Sequence, residues 1–496
     1  MNDFTLLIPE FAVVGLAFGV LTADLFFLHD RTKHFLAYGS VAGLGIIAAF
    51  SLIFLWNQDG SLYKGLLVID GYSLFFKAFF LIIGVFAILG SVEYVRRNLD
   101  HPGEYYGIML FTIVGMMLMA ASGELLSAYI SLELLSFGLY VLVAYNRYNP
   151  KSNEAGTKYI LLGAFSSALL LYGISQIYGL TGTTRFDDIN LALSTSSGIS
   201  PGLLVGLVFI IAGMGFKVAA VPFHMWAPDV YEGAPTPVTA YLSVGSKTAA
   251  FALMLRFFSE ALLPAVEDWQ IILIIIATLT MTLGNLVALV QSNIKRLLAY
   301  SSIGHVGYLI MGIAAIASIN SSNEISTAYS HLAANGIILH LVAYAIATMA
   351  VFIVASALFN ATGKEEITDF AGLARHSPLL ALTMTASMFS LAGLPVFAGF
   401  TSKFYLFNAV ASQRLLWLAG LAILTSLVSL YYYLRVIRQI YIEPPIEDQV
   451  IKVPRITLGV LSVLLVSLII VGIYPSPLME TVQHASNALF SSESVP

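Results

Sequence analysis

The sequence predicts an all-α protein, a polytopic membrane helix bundle of about fourteen transmembrane helices, on three observations. The 496 residues are 58% hydrophobic and only 10% charged, too little charge to cover a soluble protein of this length. Apolar runs of about 20 residues, enough to cross a bilayer as helices, recur along the whole chain. Two of these runs, five apart in order, are interrupted by glycines and a proline close to a lysine, the pattern of broken helices in a repeat.

The spans read as 4–27, 35–56, 72–92, 105–122, 124–146, 158–180, 201–228, 238–260, 269–290, 297–318, 331–357, 378–410, 414–437 and 456–474. The first has no basic stretch ahead of it and carries Glu10 and Asp24, so it reads as a retained span and not a cleaved signal peptide. Loops are short, leaving one integral membrane domain over 1–496 with a Ser-rich C-terminus. There are no cysteines, which excludes disulfides, cysteine-ligated iron–sulfur clusters and thiolate zinc sites; no metal site is expected. The net charge of −5 suggests no nucleic-acid partner.

Lysines and arginines orient such a bundle, because they concentrate in inner loops. Taking the 28–34 loop as inner, that side holds Arg31, Lys33, Arg96, Arg97, Arg147, Lys151, Lys158, Lys295, Arg296, Lys364, Arg375, Arg435, Arg438, Lys452 and Arg455. The opposite loops hold Lys64, Arg185 and Arg414. One miscounted span would scramble this bias, so the count is supported and both termini are expected on the outer side.

Five basic residues fall within spans. Lys77 and Arg256 lie near outer helix ends, where both are expected to snorkel to the interface. Lys247 lies near the middle of span eight, Lys217 and Lys403 lie in the two interrupted runs, and Glu133 lies at the middle of span five. A charge at the bilayer centre costs about 2.5–3.5 kcal/mol even on the lenient insertion scale. A static ion pair of Glu133 with one lysine offsets part of that cost. One carboxylate cannot neutralise three ammonium groups, however, and desolvation and mutual repulsion disfavour three charges at once. A lysine able to release its proton is what a proton carrier requires.

Span seven runs Gly213, Gly215, Lys217, Pro222, His224; span twelve runs Gly393, Pro395, Gly399, Lys403. Proline removes a helix hydrogen bond and clashes with the preceding turn, which a membrane tolerates only where protein or a water-filled cavity satisfies the freed groups. An odd offset of five spans means that a five-helix repeat is inverted. The chain then divides into an N-terminal three-helix segment (1–104), a first repeat (105–262), an inverted second repeat (267–440) and a C-terminal helix and tail (441–496), with Lys217 and Lys403 at equivalent positions. A plain kink without function is the competing reading. Of the remaining polar residues, His305 sits among Ser301, Ser302 and Tyr308 as a candidate relay, with Lys295 opening the same span. His331 and His340 more often serve as helix–helix hydrogen-bond partners. His224, Asp229 and Glu232 follow the Pro222 break and either take up protons at the inner side or cap the loop.

The stretch from Phe216 to Ala240, with Met225-Trp226-Ala227-Pro228-Asp229-Val230-Tyr231-Glu232-Gly233 at its centre, closely resembles the subunit N family of bacterial complex I, the proton-translocating NADH:quinone oxidoreductase. Ser131–Ser136, Asn293–Tyr308 and Leu391–Phe404 match as well, and the resemblance spans essentially the whole chain. The related L and M subunits and the multi-subunit cation/proton antiporters share a more general lysine–proline–APTPV pattern. The resemblance implies that Glu133 pairs with Lys217, that Lys247 is the central lysine and that Lys403 is the terminal one, with protons and internal water moving between them. It implies a subunit of an enzyme, a translocase, that itself binds no cofactor. NAD, flavin, iron–sulfur clusters and quinone would belong to other subunits, and the partners would be the K-, M-, L-, J-, A- and H-type membrane subunits within the lipid bilayer of a bacterial cell membrane. The alternative is a sodium/proton antiporter subunit built on the same lysine logic. A redox enzyme with its own cofactor is disfavoured by the missing cysteines and nucleotide loop.

Overall fold

The computed structural model describes residues 3–27, 32–195, 200–319, 325–326, 329–445 and 451–490; Arg31 and the Ser-rich tail lie outside them. Among the described residues, thirteen helices are long and apolar enough to cross a membrane. They are Ile8–Phe26, Phe35–Leu55, Gly71–Asn98, Pro102–Ala121, Leu125–Val143, Pro150–Thr181, Pro201–Val218, Thr236–Ala261, Leu263–Ala288, Ile294–Ala314, Ser330–Thr362, Leu416–Tyr441 and Arg455–Ile473. These occupy expected spans one to eleven, thirteen and fourteen. The twelfth is two shorter helices, Pro378–Ala392 and Ala398–Ser412, because the break at Gly393 cuts it.

Proline at the first turn, where its missing N–H costs nothing, starts four of the helices at Pro102, Pro150, Pro201 and Pro378. Left-handed glycines at 182 and 363 end the two longest, Pro150–Thr181 and Ser330–Thr362. Short antiparallel ribbons pair Gly60–Leu62 with Leu67–Ile69 and Ser318–Ile319 with Ile325–Ser326. Two amphipathic helices, Phe186–Thr195 and Ser476–Phe490, lie outside the expected spans. Neither is apolar enough to register as a span. The second is docked by Ser486, whose hydroxyl donates to Asn335 Oδ1 at 2.6 Å, and by His484, whose ring stacks on Trp56.

Burial sorts the bundle from centre to rim. The most apolar stretches of spans eight, ten and eleven are 100%, 94% and 94% buried, against 28% for span one and 33% for spans two, six and fourteen. The rim helices present apolar side chains such as Phe18, Ile53, Phe165 and Leu427 outward, as a lipid-facing surface must. The three central helices carry polar groups inside an almost wholly enclosed layer, and these are the spans that hold Lys247, His305 and His340.

Two of the basic residues expected at the interface are not there. Lys77 is wholly buried and forms an ion pair with Glu10 of span one at 2.6 Å. Arg256 is 1% exposed and donates to both oxygens of Asp70 at 2.8 and 2.9 Å and to Glu260 at 2.9 Å, with its guanidinium over the Tyr72 ring. Snorkelling serves a cation that lacks a nearer partner; here carboxylates on neighbouring helices reach both. Asp70 also caps span three through Ser73, so one carboxylate starts that helix and ties it to span eight.

Removing one member of a buried ion pair leaves an uncompensated charge and costs about 3–5 kcal/mol, whereas replacing both by apolar groups is often close to neutral. Lys77→Met is therefore expected to lower the amount of chain in membranes and the midpoint of its heat inactivation. The double substitution Glu10→Leu with Lys77→Met should restore most of both; a double variant as unstable as the single one would show that the pair acts otherwise.

Candidate functional site

Both predicted breaks are present, and the protein satisfies the groups they free. Pro201–Val218 ends at Ala219, which adopts the left-handed region with φ 63°, an uncommon conformation for a residue with a side chain. The Phe216 carbonyl accepts the Trp226 indole N–H at 2.9 Å, and the Val221 N–H donates to Thr280 Oγ1 at 3.0 Å. Trp226 is thus a strut that closes the first break. At the second, Gly393 takes φ 86°, and the Gly399 N–H donates to Ser390 Oγ at 3.0 Å. A Cβ on Gly399 would fall 1.7 Å from the Ser390 carbonyl oxygen, so only glycine fits.

The lysines do not occupy equivalent positions relative to these breaks. Lys217 precedes its break, in the last turn of Pro201–Val218, whereas Lys403 follows its break, on Ala398–Ser412. In space they converge on one solution. The Lys403 amine reaches back to the Leu391 and Ala392 carbonyls at 2.7 and 3.2 Å, the last ones of the preceding half-helix. Each lysine therefore lies at the C-terminal end of a half-helix, where the unsatisfied carbonyls and the helix dipole favour a cation.

The three central amines share one kind of surroundings. Lys217 donates to Ser136 Oγ at 2.7 Å and lies 6.0 Å from the Tyr159 ring centre. Lys247 donates to Ser302 Oγ and lies 5.5 Å from the Tyr231 ring. Lys403 donates to Ser426 Oγ at 2.8 Å and lies 5.2 Å from the Tyr308 ring. Among the described residues, none of the three has a carboxylate within ion-pair distance. The expected direct Glu133–Lys217 pair is not formed. Glu133 is only partly buried and accepts the Ser167 hydroxyl of span six, while Lys217 turns to Ser136, one helical turn along from Glu133.

Between Lys247 and Lys403 runs a chain of polar contacts. Ser302 contacts the Tyr344 hydroxyl at 2.6 Å, and Tyr344 lies 5.3 Å, ring to ring, from His305. His305 Nδ1 is 3.1 Å from His340 Nε2, and His340 Nδ1 is 3.0 Å from Ser402 Oγ, beside Lys403. His305 lies within this chain of contacts. His340, not distinguishable from His331 by residue type or span, completes the link, whereas His331 is exposed and packs on Phe490. Tyr344 was also missed; its four-residue spacing from His340 on the same helix face was the available signal.

The remaining candidates lie off this chain. Asp229 accepts Lys158 at 2.7 Å and Arg296 at 2.8 Å; Glu232 accepts Lys151 at 2.9 Å and Arg296 at 3.0 Å. Lys295 pairs with Glu365 at 2.8 Å and donates to the Ala234 carbonyl at 3.2 Å. His224 is half-buried. The cluster joins the starts of spans six and ten to the 226–233 helix and the 364–366 loop. Burial alone would raise the pKa of both Asp229 and Glu232. Hydrogen bonds and charge from Lys158 and Arg296 on the first, and from Lys151 and Arg296 on the second, outweigh it and hold both below the usual carboxylate range.

Residues 122–429 match the NADH:quinone oxidoreductase/Mrp antiporter transmembrane family. The subunit N of NADH-quinone oxidoreductase from Moorella thermoacetica is 44% identical over 494 residues, covering 99% of this chain and 100% of that one. A chain of respiratory complex I from Thermus thermophilus, solved with bound aureothin, superposes with a TM-score of 0.79 at 29% identity, covering 96% of this chain and 100% of that chain. One from the archaeal membrane-bound sulfane sulfur reductase superposes with a TM-score of 0.84 at 25% identity, covering 98% and 97%.

With folded-state pKa values below the unfolded ones, Asp229 and Glu232 stabilise the fold fully above the ordinary carboxylate range. That contribution is lost as pH falls through the depressed folded values. Arg296→Gln is expected to move the acid midpoint for unpacking of this cluster upward, read from the emission of buried Trp226 with the other tryptophans replaced. An unmoved midpoint would show that Arg296 does not hold these carboxylates.

Proposed function

The chain belongs to the subunit N family of the NADH-quinone oxidoreductases, and on that premise we propose that it is a proton-translocating, antiporter-like membrane subunit of a complex I-type enzyme. The observation that carries the reading is the contrast between two kinds of buried cation. Lys77, Arg256 and Lys295 each face a carboxylate within 3 Å. Lys217, Lys247 and Lys403 face hydroxyls, carbonyls and ring faces. A static ion-pair role for the central lysines would call for carboxylate partners. Hydroxyl partners can accept from an ammonium and donate to an amine, so they suit both protonation states.

In the proposed cycle, redox energy released in other subunits shifts charge along this axis. Movement of Glu133 towards or away from Lys217 changes how tightly Lys217 holds its proton. The proton passes to Lys247 and then, by way of Ser302, His305 and His340, to Lys403. Each step breaks one N–H or O–H bond and makes another, with protein hydroxyls and internal water between the amines. The reading assigns no redox cofactor to this chain. It places NAD, flavin, iron–sulfur clusters and quinone on other subunits and the chain in a bacterial cell membrane with both termini on the outer side.

Lys217→Ala is expected to abolish proton pumping and to lower quinone reductase activity in a complex that still assembles. Unchanged pumping in vesicles would remove Lys217 from the mechanism. His340→Ala should slow pumping at least about tenfold, since a positioned proton-transfer group contributes about 10²–10⁴. His331→Ala should leave it unaltered, and equal effects of the two would argue against the link through His340.

A further inference from the structure

Spans three, eleven and fourteen meet along a seam that the chain of polar contacts does not use. Between them lies an open cleft of about 290 Å³. Span three lines it from Phe75 to Phe86, span eleven with Val342, Ala345, Ile346 and Met349, and span fourteen with Leu464 and Ser467. The four residues of span eleven recur every three or four positions and so share one face of that helix, and His340 and Tyr344 lie on the opposite face. The cleft therefore sits behind the helix that completes the link between Lys247 and Lys403.

Its chemistry and dimensions select what can fill it. Apart from the Trp56 indole at the mouth, the lining is apolar but for two hydroxyls, and each of these donates within its own helix. Ser467 Oγ donates to the Val463 carbonyl at 2.9 Å and Thr481 Oγ1 to the Leu478 carbonyl at 2.7 Å. A cavity so lined does not hold water, and in a membrane protein hydrocarbon takes its place. From Phe75 to Phe86 the cleft follows span three for about 16 Å at 1.5 Å per residue. That is the depth of one leaflet of a hydrocarbon core about 30 Å thick. One end is blind: beyond Phe86 spans three and eleven close up, and a Cβ on Gly90 would fall 2.8 Å from Ile353 Cδ1. The other end opens at Trp56 and the amphipathic Ser476–Phe490 helix, whose His484 stacks on Trp56. Interfacial tryptophans and amphipathic helices mark the level of lipid headgroups. Exposed Leu52 and Ile82 edge the cleft, so it faces outward from the bundle. At about 30 Å³ for each water-sized group, it takes about ten methylene groups, the bulk of a single acyl chain. A helix about 10 Å across does not fit inside it.

We propose that this cleft is a binding site for one acyl chain of a membrane phospholipid, with the headgroup at the level of Trp56 and His484 and the chain end at the blind end near Phe86. With both termini on the outer side, the lipid belongs to the outer leaflet. The proposal goes beyond the proton-translocating reading and does not rest on it. A bound chain completes the packing behind span eleven, whose other face holds His340 against His305.

The test uses the assembled complex in bilayers containing phosphatidylglycerol with a photoactivatable diazirine midway along one acyl chain. After irradiation, peptides carrying Phe75–Phe86 and Val342–Met349 are expected to hold several-fold more label than those carrying the lipid-facing Phe165 and Leu427. Ala345→Phe fills the floor of the cleft, and Ile82→Trp narrows its exposed edge without entering the buried core. Each should bring the cleft label down to the level of the rim while the label at Phe165 and Leu427 stays as it was. Should Ala345→Phe fail to assemble, Ile82→Trp alone decides. A parent cleft labelled no more than the rim, or a cleft label that survives Ile82→Trp, would overturn the site. A benzophenone amino acid at Ile82 is expected to capture lipid; capture of a neighbouring polypeptide in its place would show that the cleft is a protein interface and overturn the proposal.

Discussion

An ammonium group in the hydrocarbon layer has no water to solvate it, so the protein must supply every partner. That requirement organises this bundle. The helices that carry Lys247, His305 and His340 are the most enclosed of all, and the lipid-facing helices are wrapped around them. The tyrosines that face the three central lysines come from three different spans or loops, which places each amine at a junction of elements. A ring face within about 6 Å gives a cation electrostatic support without a competing base. The arrangement therefore tolerates the charged lysine and also its neutral form, which a carboxylate partner would not.

Set against this axis, the carboxylate-bearing contacts form a static frame. Glu10–Lys77 joins spans one and three, Asp70–Arg256–Glu260 joins spans three and eight, and the Asp229–Glu232–Arg296 cluster braces the segment after the first break. These pairs fix where the helices stand. The breaks then open backbone carbonyls at defined depths, and the lysines use those openings: Lys403 binds two of them directly. Frame, break and amine form one construction in which the first makes the second affordable and the second positions the third.

The difference between the two breaks follows from the same logic. A half-helix ends in unsatisfied carbonyls whether the lysine precedes or follows the break, and either chain direction can bring an amine to them. Lys403 does so from ten residues beyond Gly393, whereas Lys217, in the last turn of its own half-helix, donates to Ser136. The two lysines thus stand on opposite sides of their breaks, one before and one after.

Much of this was legible in the residues. Long apolar runs dictate helices because backbone groups in lipid must pair within the segment, and the loop lysines and arginines were enough to keep the span count in phase. Glycine and proline marked both breaks, and Lys217, Lys247, Lys403 and His305 stood out as charged or polar groups in apolar surroundings. What the sequence could not decide was partnership, since that depends on which helix faces which and at what depth. Lys77 and Lys217 look alike as isolated lysines in apolar runs. Only packing shows that one meets Glu10 and the other a serine. Likewise His340 and His331 share a helix, and only the rotation and depth of that helix put the first against His305 and leave the second at the surface. Composition and periodicity determined the elements and their polar content; tertiary packing alone determined the distances, and proton transfer depends on distance.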